Sequence, residues 1–479
     1  MTRNVLLFII DTVRKDYFDE FADTIQELSD VSFEQCRAAS SCSVPSHGSI
    51  LTERLPSQSG IHNFNVDYAS VPTEETFLGR FSDYRTIGVS ANEYVGTAFG
   101  FSSHFDSWSN ISPYHRFEDG IDIKYFSSAG DGADADGIEF YFQFLKTAFR
   151  HDAPVQSMLN GAAGQLDQWL AHAPVPKLLD DGAKPVSRKI RNDVTDTDEP
   201  FFLFANYMDA HYPMHHVLGF DSSLHDASYR WTSFGFEGYQ ELMYNVDDAF
   251  ERYDEFVSTY RDLYAAAIDY LDRQVASTVR SVLDATERET TIVVTSDHGE
   301  NLGYEADDHM FWHSSSLTEG LLHVPLEIIN PPEGFDPVEE QLFSQRNLGK
   351  LLAALAEERT PDLFEERAPA EIVGGDVGAT DGLLTSEEQE WFDRAQRAVV
   401  STEQKTLWDS LGTVTGYELD PDRPCWQRET DADVSTDIGE EFFDTDIVSY
   451  RRQVDAARAA TDAEVTDATK ERLEELGYR

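Results

Sequence analysis

An α/β fold with a mostly parallel central sheet is predicted by short apolar runs that end in polar residues. Val5 to Ile10 is wholly apolar and is followed by Asp11, and Thr291 to Val294 leads into a polar stretch that begins at Thr295. Runs of this kind are typical of strands buried on both faces, as in parallel sheets. The segment from Tyr253 to Leu283 repeats apolar residues at helical spacing, which predicts one long helix leading into the second strand.

A smaller C-terminal unit is predicted after Pro331-Pro332, where the pattern changes. A helix from Leu348 to Leu355 closes the main domain, assigned to residues 1–360, and residues 361–479 form an α+β subdomain. Three short strands and a terminal helix are expected there: Ala398 to Ser401, Lys405 to Trp408, Gly416 to Leu419, and Ala456 to Leu476. Residues 110–198 are treated as a variable insertion with amphipathic helices at Phe140 to Arg150 and Gln165 to Ala171.

The charge of the chain is strongly negative. Its 479 residues include 89 acidic and 37 basic side chains, a net charge of −52. Acidic residues spread along the whole chain are typical of proteins that stay soluble in concentrated salt, which predicts a halophilic source. The sign disfavours nucleic acid and anionic membrane surfaces as partners. We also expect no membrane span and a cytoplasmic location, since no apolar run approaches the roughly 20 residues of a span and three cysteines make no disulfide framework.

Polar residues at two predicted strand ends are candidates for a metal site. Asp297 and His298 follow one strand and Asp11 follows the other. Ligands of open α/β sheets bind outside the carboxyl ends of the strands, and carboxylate and imidazole groups are common metal ligands. The alternative is a capped turn with a solvent-exposed His, and for Asp11 an N-cap of the next helix.

A serine-rich segment, Ser40 to Thr52, predicts a helix start near Pro45. Ser43 would then lie just before the helix N-terminus, where free N–H groups and the helix dipole favour an anion or a developing alkoxide. A serine-rich loop that caps a helix is the alternative interpretation.

These motifs together resemble the sulfatase-like branch of the alkaline phosphatase superfamily. The resemblance lies in five stretches that occur in the family's order: Asp11-Thr12-Val13-Arg14, Ser43-Val44-Pro45-Ser46-His47, Phe201 to Pro213 with its His211-Tyr212-Pro213 loop, Ser296-Asp297-His298-Gly299-Glu300-Asn301-Leu302-Gly303, and Trp312-His313 with Val324-Pro325-Leu326. It implies a three-layer α/β/α domain of the alkaline phosphatase type with a small C-terminal antiparallel sheet and helix. It also implies a hydrolase acting on small-molecule or glycan esters of sulfate or phosphate.

The resemblance implies a role for each matched residue. One divalent cation (Ca, Mn, Mg or Zn) would be held by Asp11, Thr12, Asp297 and His298, with Ser43 as the nucleophile. The remaining candidates are His211 as general acid, His313 as the next candidate acid or as a contact to the ester oxygens, His47 on the nucleophile side, and Asn92 at the substrate oxyanion.

Two departures from the family pattern bear on the substrate. Most sulfatases carry Asp-Asp where this chain has Asp11-Thr12, so the site is less negative. Sulfatases convert a Cys or Ser of Cys/Ser-x-Pro-x-Arg to formylglycine, but here His47 replaces the Arg and Cys42 is one position out of register. Formylglycine is therefore not expected, and an unmodified Ser43 favours a phosphodiesterase, a phosphonate monoester hydrolase or a phosphoryl transferase at least as much as a sulfatase. An inactive metal-binding relative that serves as an interaction module is the alternative from another class.

Overall fold

The computed structural model describes residues 3–112, 115–117, 119–123, 126, 138–170, 175–195, 199–313, 315–375, 382–431 and 434–464. Its strands, numbered β1 to β15 in chain order, are Asn4–Ile10, Val31–Arg37, Arg85–Ser90, Ser107–Asn110, Phe201–Tyr207, Thr290–Thr295, Asn301–Leu302, Phe311–Trp312, Leu326–Ile329, Val338–Ser344, Ala368–Ile372, Gln396–Val400, Gln404–Asp409, Val414–Leu419 and Gln427–Thr430.

The α-helices of the described residues, numbered α1 to α14 in chain order, are Lys15–Phe21, Asp23–Leu28, Ser43–Thr52, Pro56–Ser59, Ile138–Ala148, Pro154–Leu170, Ala183–Thr195, Tyr239–Met243, Ala249–Arg252, Asp254–Ala285, Glu319–Leu322, Leu348–Ala356, Ser386–Phe392 and Ile447–Glu464. None of them combines the length and the apolar character that crossing a bilayer requires.

The main sheet has eight strands in the order β10-β2-β9-β6-β1-β5-β3-β4. Strand β1 pairs in parallel with β5 and β6, whereas β9 runs antiparallel to β2 and β6. The sheet is therefore mostly parallel, and β1 lies between two parallel neighbours, as expected for a wholly apolar strand.

Alternate side chains of β1 enter two different hydrophobic cores. Leu6, Phe8 and Ile10 pack in one core with α7 and the 32-residue helix α10. Leu7 and Ile9 pack in the other, with α3 and α12. Because successive strand side chains point to opposite faces, two cores on one strand define three layers. The predicted α/β/α fold class and the long helix from Tyr253 to Leu283 are both confirmed.

The C-terminal antiparallel sheet is separate from the main sheet and has the order β11-β12-β13-β14-β15. One of its faces packs on the main domain through Ala398, Leu407 and Tyr417. The terminal helix α14 begins at Ile447, earlier than predicted, and residues 465–479 lie outside the described residues. Within the insertion, α5 matches its prediction and α6 begins well before Gln165. A domain division near residue 360 stays a prediction.

A buried acid on β9 makes the stability of the fold depend on pH. Glu327 is 1% exposed; one carboxylate oxygen accepts a hydrogen bond from Ser32 at 2.8 Å, and the other has no partner. Burial raises the pKa of Glu327 to about 7. The folded state thus retains a proton that the unfolded chain loses near pH 4.5, so this contribution to stability falls as the pH rises from about 4.5 to 7.

We expect Glu327→Gln to stabilise the protein at pH 8 by about 3 kcal/mol and to change it little at pH 5. The measurement is urea unfolding of both proteins at the two pH values. Glu340→Gln, an exposed site on the neighbouring part of the sheet in β10, is the control and should show no such pH dependence. An equal gain at both pH values would contradict the assignment.

Candidate active site

The ends of two adjacent strands bring two carboxylates and an imidazole together. In the β1–β6 pairing, Ile9 is level with Thr295, so Asp11 and Asp297 emerge at the same height at the carboxyl edge of the sheet. One ligand atom from each of Asp11, Asp297 and His298 lies within 4.8 Å of the others, and all three side chains are fully buried.

The donor atoms of this cluster fit a divalent cation. Asp11 Oδ1 and Asp297 Oδ2 are buried and have no hydrogen-bond partner in the described part of the chain. His298 Nδ1 donates to the Gly299 carbonyl at 2.8 Å, which leaves the Nε2 lone pair 3.4 Å from Asp297 Oδ2 and 4.0 Å from Asp11 Oδ1. A cation bound between these two carboxylates and the free imidazole nitrogen would offset the desolvation of the carboxylates.

Electrostatics in the cluster keep the imidazole neutral. Burial, together with the neighbouring His313, lowers the pKa of His298 to about 3. Burial raises the pKa of Asp297, whereas His47 opposes this rise. A neutral imidazole is the form that binds metals.

Thr12 contributes mainly through its backbone. Its hydroxyl donates to the Asp11 carbonyl at 2.7 Å, and its N–H lies 3.4 Å from Asp297 Oδ1. Thr12 has a φ of +63°, and its carbonyl accepts a hydrogen bond from Tyr264 at 2.5 Å. The structure therefore places Thr12 beside the cluster, with its hydroxyl proton directed at the backbone.

Ser43 is the first residue of α3 and faces the cluster. Its Oγ lies 3.5 Å from His298 Nε2. The Asn92 amide, just beyond β3, donates to Ser43 Oγ at 3.1 Å and to Asp11 Oδ2 at 2.8 Å. This amide joins a hydroxyl at a helix N-terminus to a carboxylate of the cluster, an arrangement that favours a serine alkoxide.

His47, one helical turn after Ser43, fixes the nucleophile side. Its Nδ1 donates to the Ser43 carbonyl at 2.8 Å and lies 3.4 Å from Asp297 Oδ2. Its Nε2 lies 3.3 Å from the amide nitrogen of Asn206, which also lies 3.3 Å from Asp11 Oδ2. The sequence analysis did not single out Asn206, although its position near the end of an apolar strand, β5, was a usable signal.

A second group of side chains forms the other wall of the site. The ring centroids of His298 and His313 are 4.8 Å apart, and those of His313 and His211 are 5.2 Å apart. Trp312 stacks on His313 with centroids 4.1 Å apart, and its φ of +82° lies in a region that L residues rarely adopt. His211 Nδ1 donates to the Tyr212 carbonyl at 2.6 Å, so its Nε2 is the nitrogen available for chemistry.

Glu300 was quoted in a motif but given no role by the sequence analysis. It is 1% exposed, and its carboxylate lies 3.1 Å from His313 Nδ1. Burial raises the pKa of Glu300 to about 8, with His211 acting in the opposite sense. The contact orients the His313 ring so that its Nε2 is free to face a substrate.

We expect Glu300→Gln to lower kcat by about tenfold to a hundredfold, because a side chain that orients a functional His typically contributes that much. KM and metal content should stay nearly unchanged. Steady-state kinetics over a range of pH would test this, since a merely structural role would not alter the pH profile. Glu371→Gln, which breaks a buried ion pair with Arg397 in the C-terminal sheet, is the matched control for lost stability alone.

Solved structures with a similar fold include proteins of the alkaline phosphatase superfamily and a phosphonate monoester hydrolase. A solved structure from Vibrio parahaemolyticus, described as a protein in the alkaline phosphatase superfamily, matches 96% of this chain and 88% of its own length, with a TM-score of 0.50 and 11% identity. The phosphonate monoester hydrolase of Agrobacterium radiobacter matches 99% of this chain and 96% of its own length, with a TM-score of 0.56 and 14% identity. At these identities the likeness shows the fold.

The family is shown by sequence. Residues 3–357 match the family model described as Sulfatase, and the chain belongs to the sulfatase family. Human iduronate 2-sulfatase is 25% identical over 357 residues, which cover 67% of this chain. The chain spans 58% of the length of that relative.

Proposed function

We propose that the protein is a metal-dependent hydrolase of sulfate or phosphate esters. In this proposal Ser43 is the nucleophile, and one divalent cation is held by Asp11, Asp297 and His298, with Thr12 supporting them through its N–H. The observation that carries the proposal is the placement of Ser43 Oγ 3.5 Å from His298 Nε2, beside two buried carboxylates with unpartnered oxygens.

The first chemical step is attack by Ser43 Oγ on the sulfur or phosphorus of the ester. When bound, the cation would lower the pKa of the serine hydroxyl and polarise an ester oxygen. The Asn92 amide hydrogen bond holds Ser43 Oγ and stabilises its developing negative charge. With its proton lost to solvent, the Ser43 alkoxide oxygen forms a bond to the sulfur or phosphorus while the bond to the alcohol oxygen breaks.

The leaving alcohol takes a proton from the His211 side of the site. His211 is only partly buried, whereas burial holds the pKa of His313 well below its usual range. We therefore assign His211 as the general acid and His313 as a hydrogen-bonding contact to the ester oxygens. Water then gives a proton to His211 and attacks the sulfur or phosphorus, the bond to Ser43 Oγ breaks, and the sulfate or phosphate product is released.

The nature of the nucleophile favours phosphorus over sulfur. Ser43 lies in the register of the family's modified residue, but His47 occupies the position of the Arg that accompanies modification, and its ring is committed to the Ser43 carbonyl. A formylglycine enzyme releases sulfate when its hemiacetal collapses. The sulfate ester of an unmodified serine has no such route. Phosphate monoesters, diesters and phosphonate esters are therefore the favoured substrates, and iduronate 2-sulfatase and the phosphonate monoester hydrolase supply precedent for sugar sulfates and phosphonates respectively.

A panel of nitrophenyl esters tests the substrate class. Phosphate monoester, phosphodiester, phosphonate and sulfate would each be assayed with Mg²⁺, Mn²⁺, Ca²⁺ and Zn²⁺. We expect turnover of at least one phosphorus ester to exceed that of the sulfate. Failure of every substrate with a metal-loaded protein would overturn the proposal in favour of an inactive, metal-binding relative.

The acidic composition supports a further element of the proposal, that the enzyme works in concentrated salt. With 89 acidic against 37 basic residues, self-repulsion at low ionic strength is large, and salt screens it. The same panel run from low to molar salt would show activity rising with salt; an optimum at low salt would contradict it.

A further inference from the structure

A large cavity lies between the main domain and the C-terminal sheet, apart from the candidate active site. Its volume is about 1050 Å³, enough for a ligand larger than one sugar ring. One wall is the loop between β7 and β8, and the opposite wall is the face formed by β13, β14 and β15. Among the described residues that line it, none is Ser43, His211, His313 or a proposed metal ligand.

Four arginines line this cavity, but they differ in how far they are already engaged. The Arg14 guanidinium donates hydrogen bonds to Asp16, to Asp307 and to the Glu300 carbonyl, so it is fully engaged. Arg394 donates to Asp409 at 3.0 Å, and Arg428 pairs with Glu418. Arg423 is exposed and forms no ion pair with any residue in the described ranges.

An unpaired cation lining a cavity is unusual in a chain with more than twice as many acids as bases. The guanidinium carbon of Arg423 lies 4.6 Å from the centre of the Trp426 ring, and that of Arg428 lies 5.8 Å from the centre of the same ring. Stacking on an aromatic ring orients a guanidinium while leaving its N–H edge free for an anion. Trp426 therefore orients two guanidiniums in the cavity. Arg423 has no ion-pair partner among the described residues, and Arg428 pairs with Glu418.

The rest of the lining offers partners for a polar ring. The Arg394 guanidinium carbon lies 3.6 Å from the centre of the Trp391 ring and covers part of it, but Trp391 is still 39% exposed, which leaves the rest of the indole open to a sugar ring. The Asp308 carboxylate accepts hydrogen bonds from Tyr417 at 2.9 Å and from Gln427 at 3.0 Å through one oxygen only. Its other oxygen accepts no hydrogen bond from the described residues and is suited to accept from a ligand hydroxyl.

We propose that this cavity is a second binding site, for a sugar that carries a phosphate or sulfate group. The anionic group pairs with Arg423 and Arg428, which Trp426 orients, the sugar ring packs against the exposed part of Trp391, and a hydroxyl donates to Asp308. The inference rests on the cavity alone and does not depend on turnover at Ser43.

The cavity also touches elements that build the active site. Tyr304 to Met310 form its β7–β8 wall, and the strands on either side of this loop lead to Glu300 and His313. Asp307 in the loop accepts from Arg14, which is three residues beyond Asp11. A ligand held in the cavity would therefore contact both segments that hold the catalytic candidates.

Calorimetric titration of D-glucose 6-phosphate and D-glucose 6-sulfate into metal-loaded Ser43→Ala protein tests the site without turnover. Apart from binding at the active site, we expect a binding event that persists in Asp297→Asn and that weakens at least tenfold in Arg423→Gln and in Trp426→Ala. Arg359→Gln and Trp169→Ala, exposed positions that do not line the cavity, are the matched controls and should bind as the parent does.

Several outcomes would overturn the proposal. Binding that survives the Arg423→Gln/Trp426→Ala double variant in the Asp297→Asn background would place the ligand elsewhere, and loss of all binding in Asp297→Asn alone would place it at the active site. Glucose and inorganic phosphate should each bind at least tenfold more weakly; equal binding of inorganic phosphate would show an anion site without sugar recognition. Because these are binding measurements, they stand whether or not the ester panel shows activity.

Discussion

Replacing Ser43 with Ala should lower kcat/KM by at least about a thousandfold on whichever ester the protein cleaves best, because the nucleophile of a two-step transfer has no substitute nearby. Metal binding and thermal stability should be almost unchanged. Ser43 Oγ receives one hydrogen bond, from the Asn92 amide, and without this bond the amide still donates to Asp11. Steady-state kinetics and a metal titration of both proteins measure these effects.

Ser49→Ala is the matched control for Ser43. Ser49 lies in the same helix α3, is equally buried, and its hydroxyl has no hydrogen-bond partner among the described residues. It should retain full activity. Mass spectrometry of the peptide that contains Cys42 and Ser43 completes the test: a formylglycine at position 43 would replace the alkoxide mechanism with that of the modified sulfatases.

Replacing Asp297 with Asn should weaken the binding of the cation by more than about a hundredfold and reduce turnover by at least as much, because a charged ligand is lost. The metal-free variant should be no less stable than the metal-free parent. Two buried carboxylates, each with an unpartnered oxygen, repel each other when no cation is bound, and the substitution removes one charge. Added metal should therefore raise the Tm of the parent and leave that of the variant unchanged.

Asp272→Asn separates loss of metal from loss of a buried carboxylate. Asp272 is 3% exposed, and it accepts hydrogen bonds from the N–H groups of Ile25 at 2.6 Å and Thr24 at 3.1 Å. Its replacement should lower the Tm with and without metal and leave the metal-induced shift intact. A variant of Asp297 that still showed the full shift would exclude this residue as a ligand.

Most of the site was predicted from one rule, that ligands of an open α/β sheet bind outside the carboxyl ends of its strands. It placed Asp11, Asp297 and His298 together because parallel strands end at one edge of a sheet, and their distances agree with that reasoning. The same rule applied to β5 would have pointed to Asn206. It was overlooked because an amide between aromatic and apolar residues carries no charge signal in a single sequence.

Other features depend on contacts that no local pattern encodes. The hydroxyl of Thr12 is directed to the backbone because its φ is positive, which sequence does not specify for a threonine. The contact of Glu300 with His313 arises from the short β7–β8 hairpin, whose two-residue strands have no recognisable period. The cavity beside Trp426 forms between two sheets that are far apart in the chain, so it exists only after they pack.

The pairing of Ile9 with Thr295 also makes the proposed cation a reporter of how the chain has folded. A slip of β1 by one residue would displace Asp11 along the strand by about 3.3 Å and turn its side chain to the other face of the sheet. Such a misfolded molecule could bury a similar amount of apolar surface and still fail to assemble the three ligands. The ratio of bound metal to protein after refolding therefore counts the molecules whose central strands have paired in the native alignment.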